Sequence, residues 1–340
     1  MPDPEEPPPT GTPDASRPAA GQTPLQGGPV FADSVAETDT STSVVIDPSG
    51  SPRITLGKRE LREHRDVVFA APLDTDAGPV ELRMDLIVPE AAGPVPVVVY
   101  VPGGGFMFAR REGAPELRAY VAEAGFAVAS IEYRTIANGA TFREALADVR
   151  SALGFLREHG AEFGLDTGGC AVWGESAGGY LAAMAGVTGG PPLAAIVDSF
   201  GPSDLTGIAA DFDAATQAAY SGPDNIAAMF VNGRTSGLPL SGAPAAAAES
   251  NPLSYVGSAS ELPGFLFLHG DADPAVSPSQ TLLLHDALRA VGADTTRLVV
   301  RGAGHGDLAV LHGRDVGTPW SSEAVMNRIV TFLRRTLCGD

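Results

Sequence analysis

Ser176 stands in Gly174-Glu175-Ser176-Ala177-Gly178, between the apolar run 170–173 and an alanine-rich stretch that starts at 177. A serine at such a strand-to-helix corner is held in a strained backbone conformation with its hydroxyl pushed out of the turn. Glycines must flank it, because side chains there would collide with the crossing backbone. The helix that follows aims its first N–H groups at the serine and favours negative charge beside it. A serine hydroxyl is a poor nucleophile near neutral pH unless a base takes its proton. His305, in Gly304-His305-Gly306, has a suitable pKa for that base and can return the proton to a leaving group. Asp271 and Asp273 follow His269-Gly270, and a carboxylate from there could hold the imidazole in the correct tautomer. A tetrahedral oxyanion needs preorganised donors, which the N–H groups of Gly104, Gly105 and Ala177 would supply. The pentapeptide alone is weak evidence and counts only in its strand–turn–helix setting.

That setting requires a particular order of elements. Residues 61–70 and 80–88 read as two strands around a turn at 74–78, and Glu81, Arg83 and Asp85 alternate with Leu82, Met84 and Leu86. Period-two alternation leaves one face in water. The run 95–101 is apolar except for Pro96, the pattern of a strand covered on both faces. It ends in Pro102 and the triple glycine 103–105. A helix over 115–124, a strand over 127–133 and a helix over 142–159 follow. The last carries Leu146, Val149, Leu153 and Leu156 at helical spacing. Then come the strand into Ser176, its helix, and a strand over 193–200. The rhythm fails across 203–258, which is rich in Ala, Gly, Pro and Ser, and reads as a small irregular lid inserted between strands. It resumes with a strand over 265–270, a helix over 277–291, a strand over 297–301, the loop 302–306 and a helix over 323–337. Alternating strands and helices imply a mostly parallel α/β sheet with right-handed crossovers. In such a sheet functional groups gather at the carboxyl ends of the strands, where the four candidate loops lie. Serine, acid and histidine occur in the order Ser, Asp, His.

Gly103-Gly104-Gly105-Phe106, Gly174-Glu175-Ser176-Ala177-Gly178-Gly179, His269-Gly270-x-x-Asp273 and Gly304-His305-Gly306 together resemble the α/β-hydrolase superfamily. Within it they are similar to the esterase and lipase branch related to hormone-sensitive lipase and to feruloyl-esterase-like carboxylesterases. The resemblance covers about residues 60–337 and implies an α/β-hydrolase fold. It implies Ser176 as nucleophile, His305 as base and Asp273 as acid, with Gly104, Gly105 and Ala177 as oxyanion donors. The implied reaction is hydrolysis of a small or medium carboxylic ester through an acyl-serine, without cofactor or metal. One departure is Pro102, where the branch usually has a histidine that braces the loop; Phe106 would pack behind the hole.

Competing readings stay on the table. Asp271 rivals Asp273, although the family pattern places the acid three residues after Gly270. His312 is the one rival base; His269 reads as a packed strand end, His159 and His285 as packing or solvent residues, His64 as part of an early strand. Glu175 and Tyr180 read as structural. The same triad could serve acyl transfer or cyclisation in a biosynthetic pathway, a prolyl-oligopeptidase-like peptidase, or a binding protein that has lost chemistry. No histidine–carboxylate group has metal-ligand spacing, and no phosphate or dinucleotide fingerprint is present.

Composition narrows the partners. The 340 residues carry 22 basic and 41 acidic side chains, a net charge of −19, which argues against nucleic acid or an anionic membrane as partner. A hydrophobic content of 44% supports a substantial core. Cys170 and Cys338 lie far apart, so no disulfide framework is expected. No stretch is apolar and long enough to span a bilayer. The first residues have neither a basic nor an apolar signal region, so no signal peptide and a cytoplasmic location are expected. Residues 1–50 are rich in Pro, Gly, Ser, Thr and acidic residues and read as a disordered extension, with Val44-Val45-Ile46 as a possible docking segment.

Overall fold

A computed structural model describes residues 30–75, 78–306 and 317–339, without the side chains of 317–318. A short strand, β1 (Val44–Ile46), precedes the meander β2 (Leu61–Leu73) and β3 (Val80–Pro89), then β4 (Val95–Val101). In β3 the apolar side chains Leu82, Met84, Leu86 and Val88 are buried, and Glu81, Arg83, Asp85 and Ile87 between them are half-buried, as the alternation requires. Helix α1 (Pro115–Glu123), strand β5 (Ala127–Ile131) and helix α2 (Phe142–His159) lead to β6 (Leu165–Glu175) and α3 (Ala177–Val187). Thr141 and Glu144 close a capping box at the start of α2, satisfying N–H groups that the first turn leaves unpaired. Strand β7 (Leu193–Ser199) is followed by four short helices, α4 (Ala214–Tyr220), α5 (Ile226–Asn232), α6 (Pro244–Glu249) and α7 (Leu253–Val256). The chain then returns through β8 (Gly264–Gly270), α8 (Ser279–Ala290), β9 (Thr295–Val300), α9 (Gly317–Trp320) and α10 (Glu323–Leu337).

The nine strands form one sheet in the order β1-β9-β8-β7-β6-β4-β5-β3-β2. Only the β3–β5 and β2–β3 pairs are antiparallel. Pro96, which cannot donate to a ladder, sits where the β4–β6 register shifts. Period two divides the core between the faces. Val97, Val99 and Val101 pack in one apolar cluster with Val149 of α2, Leu181 of α3 and Leu284 of α8. Val98 and Tyr100 pack in the other with Val121 of α1 and Ile329 and Leu333 of α10. The 203–258 segment adds Phe212, Tyr220, Ile226 and Phe230 to the first cluster. Its short helices are therefore packed onto the α3 side of the sheet.

The expected disorder of residues 1–50 is corrected for residues 30–50; residues 1–29 lie outside the described residues. Val44, Val45 and Ile46 pair in parallel with Leu298, Val299 and Val300, which covers what would otherwise be the bare edge of β9. Val35 bridges Phe212. A composition argument averages over the window and misses how few residues suffice when a sheet edge waits for them.

Candidate active site

Strand β6 delivers Ser176 with φ 54° and ψ −121°, a region that residues other than glycine rarely occupy. The surroundings hold it there. Ser176 N donates to Ser199 O at 2.9 Å. A methyl group on Gly174 would lie 2.1 Å from Gly178 O, and one on Gly178 would lie 2.0 Å from Val101 O. The bend therefore closes only with glycine at both positions. Glu175 accepts from the Tyr100 hydroxyl at 2.8 Å, and the Tyr180 hydroxyl donates to Ser250 O at 2.7 Å, the structural roles expected of both.

The loops after β8 and β9 meet this corner. His305 Nε2 lies 2.7 Å from Ser176 Oγ, and its Nδ1 lies 2.7 Å from Asp273 Oδ2. All three residues are buried. Asp273 Oδ1 accepts from the N–H groups of Ala275 and Val276 at 2.9 and 3.0 Å. Burial alone would raise the Asp273 carboxyl, but the charge of His305 and hydrogen bonds from His269 and His305 outweigh it and hold the group below the usual carboxylate range. Asp271 points elsewhere: its Oδ1 accepts from Gly302 N at 2.7 Å, so it ties the two loops together. Phe200 meets the His305 ring edge-on at 4.9 Å and is itself packed on Trp320, whose Nε1 donates to Gly304 O. His312 lies outside the described residues. His64, His159 and His285 pair with Phe163, Glu162, and Thr295 and Thr42, away from Ser176.

The loop after β4 completes the site. Gly105 and Ala177 line one cavity with Ser176 and His305, whereas Gly104 is not among its lining residues. Gly104 has φ +154°, and a methyl group there would meet Phe108 O at 1.9 Å. The loop has another brace in place of a histidine. The buried Tyr133 hydroxyl donates to Pro102 O at 2.9 Å, Ile136 N to Phe106 O at 2.9 Å, and Thr135 Oγ1 to Met107 O at 3.0 Å. Phe106 is buried, stacked on Phe230 at 4.2 Å and edge-on to Tyr180. Sequence reasoning missed Tyr133 as the brace, and Ile208, Tyr220, Ile226 and Val276 as cavity walls; no local pattern marks them. It also set His269 aside, though the i to i+4 spacing to Asp273 was visible.

Among the described residues no group of three or more His, Cys, Asp or Glu could hold a metal ion, and no helix is long and apolar enough to cross a membrane. The arrangement can carry a proton from Ser176 to His305 while Asp273 stabilises the imidazolium, with apolar walls around the reacting carbon.

Esterase LipQ of Mycobacterium tuberculosis is 29% identical over 248 residues, 70% of this chain and 55% of that protein. Esterase LipC of the same organism is 30% identical over 229 residues, 63% of this chain and 53% of that protein. The chain spans about half the length of these curated relatives. A solved truncated form of a carbohydrate esterase from gut microbiota superposes with a TM-score of 0.64 at 22% identity, over 84% of this chain and 99% of that one; at that identity the likeness concerns the fold. The BD-FAE family model matches residues 84–288, more than half of the chain and the span that carries Ser176 and Asp273. The chain belongs to the BD-FAE family, in the carboxylesterase branch of the α/β-hydrolases.

Proposed function

We propose that the protein hydrolyses carboxylic esters through an acyl-enzyme on Ser176. The reading rests on the continuous hydrogen-bonded path from Ser176 Oγ through His305 to Asp273, with 2.7 Å at each step. As Oγ bonds to the acyl carbon, His305 Nε2 takes its proton and the carbonyl electron pair moves onto oxygen. The N–H groups of Ala177 and Gly105, which line the cavity beside Ser176, receive that oxyanion. Collapse of the tetrahedral species breaks the bond to the alkoxy group, which leaves as the alcohol with the proton from His305. Water then repeats the sequence on the acyl-serine and releases the acid. Phe106, Ile208, Ile226 and Val276 wall the cavity beside Ser176, which suits an acyl group of small to medium size. The relatives named as esterases favour the same reaction.

The test uses p-nitrophenyl esters of increasing acyl length with the full chain. Short and medium esters should turn over, and Ser176→Ala or His305→Ala should each lower kcat by on the order of 10⁶. The double variant should be scarcely worse, because the two act as one unit. Losses that multiply, or a Ser176→Ala chain that retains turnover, would refute the reading.

A further inference from the structure

Behind Asp273 runs a chain of buried polar groups that the reaction above leaves without a role. His269, the penultimate residue of β8, is completely buried. Its Nε2 lies 3.3 Å from Asp273 Oδ2, the oxygen that faces His305, and 3.1 Å from Val276 O. Both neighbours are acceptors, so Nε2 must carry the proton. Burial holds the His269 ring below its ordinary pKa, against the opposing pull of Asp273, so Nδ1 is bare. Nδ1 lies 3.0 Å from Thr281 Oγ1, which accepts from Arg297 Nε–H, also at 3.0 Å. With that lone pair in use, the Thr281 proton is free to point at His269 Nδ1.

Arg297 ends the chain in a fixed state. Its side chain is buried, and the remaining N–H groups go to Pro278 O, Asp39 O, Ser43 Oγ and Thr38 Oγ1. All five guanidinium donors are thus placed. Every hydrogen bond from Arg297 to Asp273 then points the same way, donor to acceptor.

We propose that Arg297, Thr281 and His269 form a directional hydrogen-bond relay that aims the Asp273 carboxylate at His305, with His269 as a positioning residue. The inference rests on the role given above to Asp273. Asp273 Oδ1 is pinned by backbone N–H groups, but among the described residues Oδ2 has only the two histidines. Two N–H groups converging on Oδ2 fix the torsion of the carboxylate, so the imidazole need not order it during reaction. The relay touches no substrate; it acts on kcat and leaves KM alone.

Thr281→Val removes the hydroxyl at nearly constant volume, whereas Thr281→Ser keeps it. On p-nitrophenyl acetate, Thr281→Val should lose kcat by on the order of tenfold, the weight of one hydrogen bond, with KM within about twofold. Thr281→Ser should restore kcat. Equal kcat in wild type and Thr281→Val would overturn the relay. If Thr281→Val fails to fold, His269→Gln, which offers an amide N–H where Nε2 sits, should retain more kcat than His269→Leu; equal losses would overturn the proposal. The low-field proton resonance of the His305–Asp273 hydrogen bond, read on free protein, should shift in Thr281→Val and not in Thr281→Ser. This readout needs no substrate. A wild-type chain inert to every ester would therefore sink the hydrolase reading while the resonance still decides the relay, and an unmoved resonance in Thr281→Val counts against it.

Discussion

Asp271 and Asp273 share one loop, yet only the second reaches His305, while the first accepts from Gly302 N. Asp273→Asn should therefore lower kcat by on the order of 10⁴ by favouring the wrong imidazole tautomer. Asp271→Asn keeps an oxygen for Gly302 N and should stay within about twofold. The reverse ranking would move the acid to Asp271. A third carboxyl, Asp198, lies at the end of β7 against Gly179 and Gly201 and is fully buried. Its Oδ1 accepts from Gly201 N at 2.8 Å, and among the described residues its Oδ2 has no partner. Burial pushes it up to about 7, from 3.8. The sign follows from linkage: the folded chain keeps this proton to a higher pH than the unfolded chain does, so stability falls as pH rises from about 4 to about 7. A shift of this size corresponds to about 4 kcal/mol. Asp198→Asn cannot ionise, so the variant should gain stability over wild type across that window and match it near pH 4. Denaturant titrations at several pH values measure the difference. A constant gap between the two proteins would show that Asp198 does not titrate in the fold.

At the scale of elements, the segment from Val30 to Ile46 is a strap rather than a tail. It pairs with β9, supplies three of the acceptors of Arg297, and reaches the site, where Ala32 N donates to Pro274 O and the Tyr220 hydroxyl donates to Val30 O. Deleting residues 1–47 would bare the edge of β9 and strip buried donors of their partners, at about 1–3 kcal/mol for each group left unpaired. The melting temperature should fall by roughly 10 °C. A chain that lacks only residues 1–29 keeps the strap and serves as the control. Equal melting of both truncated chains and the full chain would show that the strap contributes nothing. The strap also marks what sequence reading can reach. Helix α2 and strand β3 announce themselves because their apolar side chains repeat over several turns or alternations. Ser176, Asp273 and His305 were legible because each follows a strand end in family order. Strand β1 has three residues, too few for a period, and its anchor Arg297 lies far along the chain. The lid region reads as irregular because α4 to α7 are each no longer than 7 residues. Tyr133 gains its partner Pro102 only when the loops after β4 and β5 converge.

The whole molecule sets a field as well as a frame. The parallel sheet brings the loops after β4, β6, β8 and β9 to one edge, as expected of this topology, while 41 acidic against 22 basic side chains leave a net charge of −19. Such a charge lowers the local concentration of anions around the protein and leaves neutral solutes unaffected. Screening decides how far that reaches: the Debye length is about 30 Å at 0.01 M salt and about 3 Å at 1 M. A pair of esters with the same acyl group, one with a neutral alcohol part and one with a carboxylate on it, separates the field from the chemistry. At low salt the anionic ester should have the lower kcat/KM, and raising salt to 1 M should narrow the gap by on the order of tenfold. The neutral ester controls for any effect of salt on the fold. The effect belongs in kcat/KM, because that quantity refers to free enzyme and free substrate, where depletion of the anion is felt. An anionic ester whose kcat/KM falls as salt rises, while the neutral one stays level, would mean that positive groups at the mouth of the cavity outweigh the net charge.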